Sequence, residues 1–237
     1  MNTTSPTTRL ETLRIILHIA ACNNWPIAQY NVKTAFLNGI LPESEQQFME
    51  QSTGFTHPDK PSHIWKLNRG LYGMCQSSCI WNKMLNVAFL KLGFHRAECE
   101  WCMYTCHNSS ATTIMAIHVD NMLSTSSSTA EVSLFRSELE SMWQITALGE
   151  PKLVVGIAIR RDKPTHSIYL SQMALIDKIT SIYGQSDAKS ATTPMAHGTQ
   201  LLVPNSQTPL DEGEQERLNT LPYWLLVGSL MYITGGS

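Results

Sequence analysis

The sequence predicts an α+β fold, and three observations carry that prediction. Segments with helical spacing and segments with strand-like alternation are interspersed without a regular β-α-β rhythm. Two strand-like runs, 101–106 and 112–119, flank the turn-forming Asn108-Ser109-Ser110, which makes a hairpin and so an antiparallel pair. Apolar residues make up 43% of the 237, enough to give both kinds of element a shared core.

Residues 1–7 are polar and expected to fray, after which Leu10, Leu13, Ile16, Leu17 and Ala20 recur at helical spacing, predicting a helix through Cys22. Pro26 breaks it. Ile27–Val32 then reads as a strand leading through Lys33-Thr34-Ala35-Phe36-Leu37 into the Asn38-Gly39 turn. Pro42, Pro58 and Pro61 punctuate a loop-rich stretch to residue 63, with one strand candidate at Phe48–Glu50. A second helix is predicted over Ser77–Leu92, with Ile80, Met84, Ala88 and Leu92 on one face and Gly93 as its stop. The hairpin's second strand ends at His118-Val119-Asp120-Asn121, and Ser124–Ser128 reads as local low complexity. Ser128 with Glu131 forms a capping-box pattern for a third helix through Trp143. Strands at Leu153–Arg160 and Ser167–Leu170 and a helix at Gln172–Tyr183 follow. Residues 185–222, with Pro194, Pro204, Pro209 and Pro222, read as a long surface connection before a short apolar helix at Tyr223–Ile233. No internal repeat is present.

Charged residues are 15% of the chain, below the roughly 25% of ordinary soluble domains. With 17 Lys and Arg against 19 Asp and Glu, the net charge of -2 supplies no global field to draw nucleic acid, so any such contact needs a local patch. The longest apolar run, Tyr223–Ile233, is about half of the roughly 20 residues a membrane helix needs, which argues against a membrane partner. A core of this size needs no disulfide staples and no export signal precedes the six cysteines. Reduced thiols in an intracellular setting, cytoplasmic or nuclear, are the expectation.

Glycine-rich phosphate loops, His-Glu-x-x-His and Gly-x-Ser-x-Gly are all missing, which removes the commonest enzyme signatures. Cys99, Cys102, Cys106 and His107 supply four potential zinc ligands by count. If 101–106 is a strand, alternation puts Cys102 and Cys106 on one face with Cys99 beyond its start, and no second Cys or His pair follows to close a tetrahedron. No zinc is expected there, and Cys102 reads as an ordinary strand cysteine.

The blocks Gln29-Tyr30-Asn31-Val32-Lys33-Thr34-Ala35-Phe36-Leu37-Asn38-Gly39, Leu71-Tyr72-Gly73-Met74-Cys75-Gln76-Ser77 and His118-Val119-Asp120-Asn121 resemble, in order, the reverse transcriptase of copia-type LTR retrotransposons. Leu148-Gly149-Glu150-Pro151, Leu170-Ser171-Gln172, Thr193-Pro194-Met195 and Val227-Gly228-Ser229-Leu230-Met231-Tyr232 extend the resemblance over residues 9–233. It implies a right-hand polymerase with a palm of antiparallel strands and packed helices, copying RNA into DNA on a primer-template with dNTPs and Mg²⁺. It further implies a palm-like core over 8–184 with an incomplete fingers segment, and a thumb or connection remnant over 185–237 leading toward an RNase H domain beyond the chain. The copy thus reads as truncated.

In the resembled family three carboxylates hold two Mg²⁺, one at the end of the first palm strand and two in a Tyr-Val-Asp-Asp turn. The matching positions here are Asn31, Asp120 and Asn121, with His118 in place of the Tyr. The resemblance assigns catalysis to Asp120 with degenerate Asn31 and Asn121, and metal binding to Asp120 and the backbone carbonyl of Val32. It assigns nucleotide contact to Phe36, at the position that excludes a ribose 2′-hydroxyl, and to Gln76. An amide oxygen can ligate but brings no charge, so Mg²⁺ and polymerase activity are expected to be weak or absent. Cys75 and Cys79 stand where the family carries a basic residue and an Arg, so contact with primer-template should be weak and salt-sensitive. The other reading is a non-catalytic nucleic-acid-binding or protein-interaction module derived from the element.

Overall fold

The computed structural model describes residues 5–193, 195, 198–199, 213, 216 and 222–236. Contacts divide the chain into two units, Met1–Lys152 with Ile159–Tyr169, and Leu153–Ala158 with Leu170–Ser237. The fold class is α+β, as the interspersed patterns predict.

The first unit opens with α1 (Leu10–Cys22) and β1 (Ile27–Val32), both with the predicted bounds. The four-residue α2 (Ala35–Asn38) follows, then the small pair β2 (Gln47–Met49) and β3 (Trp65–Leu67). Next come α3 (Ser77–Lys91), β4 (His95–Arg96), β5 (Met103–His107), β6 (Thr112–His118), β7 (Asn121–Ser126), α4 (Thr129–Met142) and β8 (Ile145–Gly149). Six strands form one sheet in the order β4-β5-β6-β7-β1-β8, and every neighbouring pair is antiparallel.

Alternation sends Ala28, Tyr30, Val32, Met115, Ile117 and Met122 to the sheet face that meets Trp81, Leu85 and Phe89 of α3 and Phe135 and Leu139 of α4. Phe89 centres an aromatic cluster, its ring 5.1–6.5 Å from those of Tyr104, Phe94, Phe135 and Trp143. The opposite face holds Ile27, Ala116 and Leu123, and α1 contacts β6 and β7 there through its apolar stripe of Leu13, Ile16, Leu17 and Ala20.

Several sequence expectations need correction. The run Ser124–Ser128 is not local low complexity: Ser124, Thr125 and Ser126 are buried in β7, at the centre of the sheet. Their hydroxyls find partners that make this burial tolerable. Thr125 Oγ1 donates to Pro26 O at 2.9 Å, Ser124 Oγ to Ala28 O at 3.4 Å, and Thr113 Oγ1 to Ser126 Oγ at 3.0 Å. The buried face of α3 runs through Ser77, Trp81, Leu85 and Phe89, one residue away from the predicted stripe, because the larger rings take the sheet side. Ser128 starts α4 without a side-chain cap, and its N–H donates to Ser126 Oγ while the Glu131 carboxylate accepts from Asn108 Nδ2 at 3.2 Å, so neither half of the capping box forms. Cys102 lies in the turn before β5, not in the strand. Strands β3 and β4 are too short to register in the sequence pattern, and β8, directly after α4, is a further strand the pattern does not set apart.

The predicted strand at Leu153–Arg160 is two strands. In the second unit β9 (Leu153–Val154) turns at Val155 and Gly156, whose φ values of 48° and 74° are both left-handed, into the start of β10 (Ile157–Asp162). β10 and β11 (Ser167–Ser171) both run from the residues of one unit into those of the other. α5 (Met173–Ile182) and α6 (Tyr223–Gly236) complete the second unit, the latter longer than the predicted Tyr223–Ile233. Most of the predicted 185–222 connection lies outside the described residues. No helix among the described residues is long and apolar enough to cross a membrane.

Candidate polymerase-like site

The candidate site is built by register. β1 pairs with β7 so that Asn31 stands directly opposite Asn121, and β6 pairs with β7 so that His118 stands opposite Asn121 on the other side. Directly paired residues share a face, so His118, Asn121 and Asn31 form a row across three strands, on the face away from the α3 and α4 core. Between β6 and β7 only Val119 and Asp120 make the turn, which puts Asp120 at the end of that row.

Three of the residues named by resemblance therefore meet. The Asn31 amide donates to Asn121 Oδ1 at 3.5 Å, and the Asn121 amide donates to Asp120 Oδ1 at 3.2 Å. All three are half-buried. Val32 is fully buried, and its N–H donates to the Asp120 carbonyl at 2.8 Å, which ties the end of β1 to the turn. Phe36 and Gln76 stand apart from this row, in α2 and at the start of α3. The Phe36 ring lies 4.7 Å from that of Tyr72, and Gln76 is buried at the α3 N-terminus without a side-chain cap bond. α2 and α3 approach closely because Gly39 and Gly70 lack side chains: a Cβ on Gly39 would meet Ile80 at 2.9 Å, and one on Gly70 would meet Ser77 at 2.8 Å.

Two contributors escaped the sequence reading. Trp81, 1% exposed on α3, donates its indole N–H to the Val119 carbonyl at 2.8 Å and so anchors the turn to the aromatic core. Val119 holds φ at 60°, a left-handed conformation that costs a β-branched residue roughly 1–3 kcal/mol. Neither is legible locally, since both depend on a partner 38 residues away. His118 carries an Nδ1 that is buried without a hydrogen-bond partner.

The donor set offers one carboxylate and two amides, with the Asn31 nitrogen and both the oxygen and nitrogen of Asn121 engaged along the row. Among the described residues no group of three His, Cys, Asp or Glu side chains converges to hold a metal ion. Two Mg²⁺ would bring four positive charges to a single negative one, and Mg²⁺ gives up its waters reluctantly even to carboxylates. These residues do not fit a two-metal centre.

The site thus sits on an antiparallel sheet flanked by helices, with a tight Val119-Asp120 turn laid beside the end of β1. The chain belongs to the reverse transcriptase (RNA-dependent DNA polymerase) family, whose model matches residues 1–197. Within that family it is a copia-type domain. It is 28% identical over 229 residues to the retrovirus-related Pol polyprotein from transposon TNT 1-94 of Nicotiana tabacum, covering 96% of this chain and 17% of that protein. The corresponding polyprotein from transposon RE1 of Arabidopsis thaliana is 29% identical over 231 residues, and that from transposon RE2 of the same plant 27% over 232, each covering 98% of this chain and 15% of the relative. The chain thus spans about a sixth of the length of these relatives.

Proposed function

We propose that this copia-type reverse transcriptase domain has lost polymerase chemistry. The observation that carries the reading is the hydrogen-bonded row Asn31, Asn121, Asp120, in which two neutral amides occupy the positions where the resemblance calls for metal-holding carboxylates. Each charge aimed at a reacting centre contributes several kcal/mol of transition-state stabilisation, so the absence of two suppresses turnover by many orders of magnitude. Asp120 and the Val32 carbonyl remain as the donors for a single weakly held Mg²⁺, and Phe36 and Gln76 as the nucleotide-contacting pair. On this reading residues 8–184 are the palm-like core and 185–237 a thumb or connection remnant, and primer-template and dNTP bind weakly.

The test is primer extension on an RNA template with Mg²⁺ or Mn²⁺. No incorporation is the expected result, and clear template-directed incorporation overturns the reading.

A second reading, a non-catalytic interaction module, has one observation in its favour. α6 carries no charged residue and exposes Trp224 at 82%, with Tyr223, Leu225 and Met231 also exposed, an apolar patch of the kind that marks contact surfaces. Concentration-dependent sedimentation of the chain that Trp224→Ser abolishes would favour this module, and a monomer at all concentrations would count against it.

A further inference from the structure

The second unit holds an open groove of about 570 Å³ that the polymerase reading does not use. One wall is a stripe of α6 made by Trp224, Leu225, Gly228, Ser229 and Tyr232, which recur at helical spacing. Leu175 of α5 and the Val155-Gly156 turn complete the lining. Small-molecule sites occupy roughly 300–1,000 Å³ and are mostly apolar with a few placed polar groups. This groove has that size and that composition.

Charge and hydrogen bonding narrow what can occupy it. Among the described residues no charged side chain lines the groove, so an ion entering it would shed water without a compensating partner. Two hydroxyls do line it, and each already donates its proton within the fold. Tyr232 donates to the Val155 carbonyl, and Ser229 Oγ donates to the Leu225 carbonyl at 2.7 Å. A hydroxyl has one donor and two acceptor lone pairs, so both present only lone pairs to an occupant. The Trp224 ring, set edge-on to Tyr223 with centroids 5.3 Å apart, supplies an aromatic surface. A flat, uncharged molecule carrying an O–H or N–H is the complement of this set.

We infer that the groove between α5 and α6 binds an uncharged aromatic molecule of the phenol or indole class, its ring against Trp224 and its donor on the Ser229 or Tyr232 hydroxyl. The groove shares no residue with the row at Asn31 and Asn121, so the inference stands whether or not the chain polymerises. It commits the Trp224 side of α6 to a small ligand, and closure of the groove by a second copy of the chain is the competing outcome.

Gly228 supplies the decisive variant. A Cβ at Gly228 would have no atom within 4 Å, so a side chain there enters open space. Glycine also weakens a helix interior, so Gly228→Leu fills the groove without straining α6. The experiment titrates the full chain, isotope-labelled on tryptophan nitrogen, with naphthol at neutral pH and follows the Trp224 indole N–H resonance, identified as the one absent from Trp224→Phe. A saturable one-site shift is expected. Methoxynaphthalene, which keeps the ring and lacks the donor, should bind about two- to tenfold more weakly, the worth of one hydrogen bond. Naphthoate, which carries a charge, should give no saturable shift. In Gly228→Leu, with its helix content verified by circular dichroism, naphthol binding should be lost. The proposal is overturned by absence of saturation in the unaltered chain, by undiminished binding in Gly228→Leu, or by methoxynaphthalene or naphthoate binding as tightly as naphthol. It is equally overturned by a Trp224 shift that tracks protein concentration without added ligand, the sign of a second copy in the groove.

Discussion

Restoring the two carboxylates separates the electrostatics of the row from its geometry. Asn31→Asp with Asn121→Asp is isosteric, so packing is preserved, and the donors now at 3.5 and 3.2 Å become carboxylate oxygens facing carboxylate oxygens. Like charges about 4 Å apart repel by about 4 kcal/mol at an effective dielectric of about 20. Half-exposure and salt reduce this to about 1–3 kcal/mol net. Loss of the neutral Asn31 to Asn121 hydrogen bond adds about 0.5–1.5 kcal/mol, and loss of the bond to the Asp120 carboxylate about 1.5–3 kcal/mol. A total of about 3–7 kcal/mol lowers Tm by roughly 6–28 °C at this chain length. Crowding by like charge raises the folded-state pKa of the new carboxyls above the unfolded value of about 3.9, so the deficit is small below that pH, grows as pH rises through the raised value and is complete at neutrality. The assay is thermal unfolding of both proteins in EDTA at low salt, at pH 4 and pH 7, repeated with millimolar Mg²⁺. Mg²⁺ should recover much of the loss in the double variant alone, because it binds only the folded carboxylate cluster. A double variant as stable as the parent at pH 7 in EDTA, or indifferent to Mg²⁺, would refute the reasoning.

Trp81→Phe leaves the Val119 carbonyl without its donor and should cost about 1–3 kcal/mol in urea unfolding, whereas a change below about 0.5 kcal/mol would show that the turn is held without it. At pH 8 a disulfide reagent should modify Cys22, Cys75 and Cys99 quickly and Cys79 and Cys102 only on unfolding; burial, with Glu100 adding to it, pushes the Cys102 thiol up to about 11, so rapid native-state labelling there would contradict its enclosure. Burial likewise raises the Tyr104 hydroxyl to about 12. Both groups are held neutral by the fold, so their contribution is intact below the unfolded values of 9.0 and 10.0 and is lost as pH climbs toward 11 and 12. Tm should therefore fall between pH 9 and 12, and a flat profile there would count against it.

The elements that were legible in the sequence are those whose pattern is set locally. α1 has a clear apolar stripe and β1 a buried run closed by the Lys33-Thr34 turn, and both were bounded to the residue. β7 is hidden because its Ser124, Thr125 and Ser126 look like a loop, and only distant partners, the carbonyls of Pro26 and Ala28 and the Thr113 hydroxyl, make their hydroxyls suited to burial. The α3 face was misplaced by one residue because helical periodicity does not say which side the large rings prefer. At the candidate site Asn31 and Asn121 bear no chemical mark of their own. Resemblance singled them out, and register brought them together. Trp81 and the strained Val119 had no local signal at all.

The turn of Val119 and Asp120 is fastened from outside the acidic row, by the Trp81 indole behind it and the Val32 N–H beside it, both acting on main-chain carbonyls. Side chains in the row can therefore change identity while the frame that presents them keeps its shape. Chemistry and architecture are inherited separately here. A sequence drifting under selection for solubility alone would preserve the scaffold and lose its acids one at a time, each loss relieving like-charge repulsion in the row.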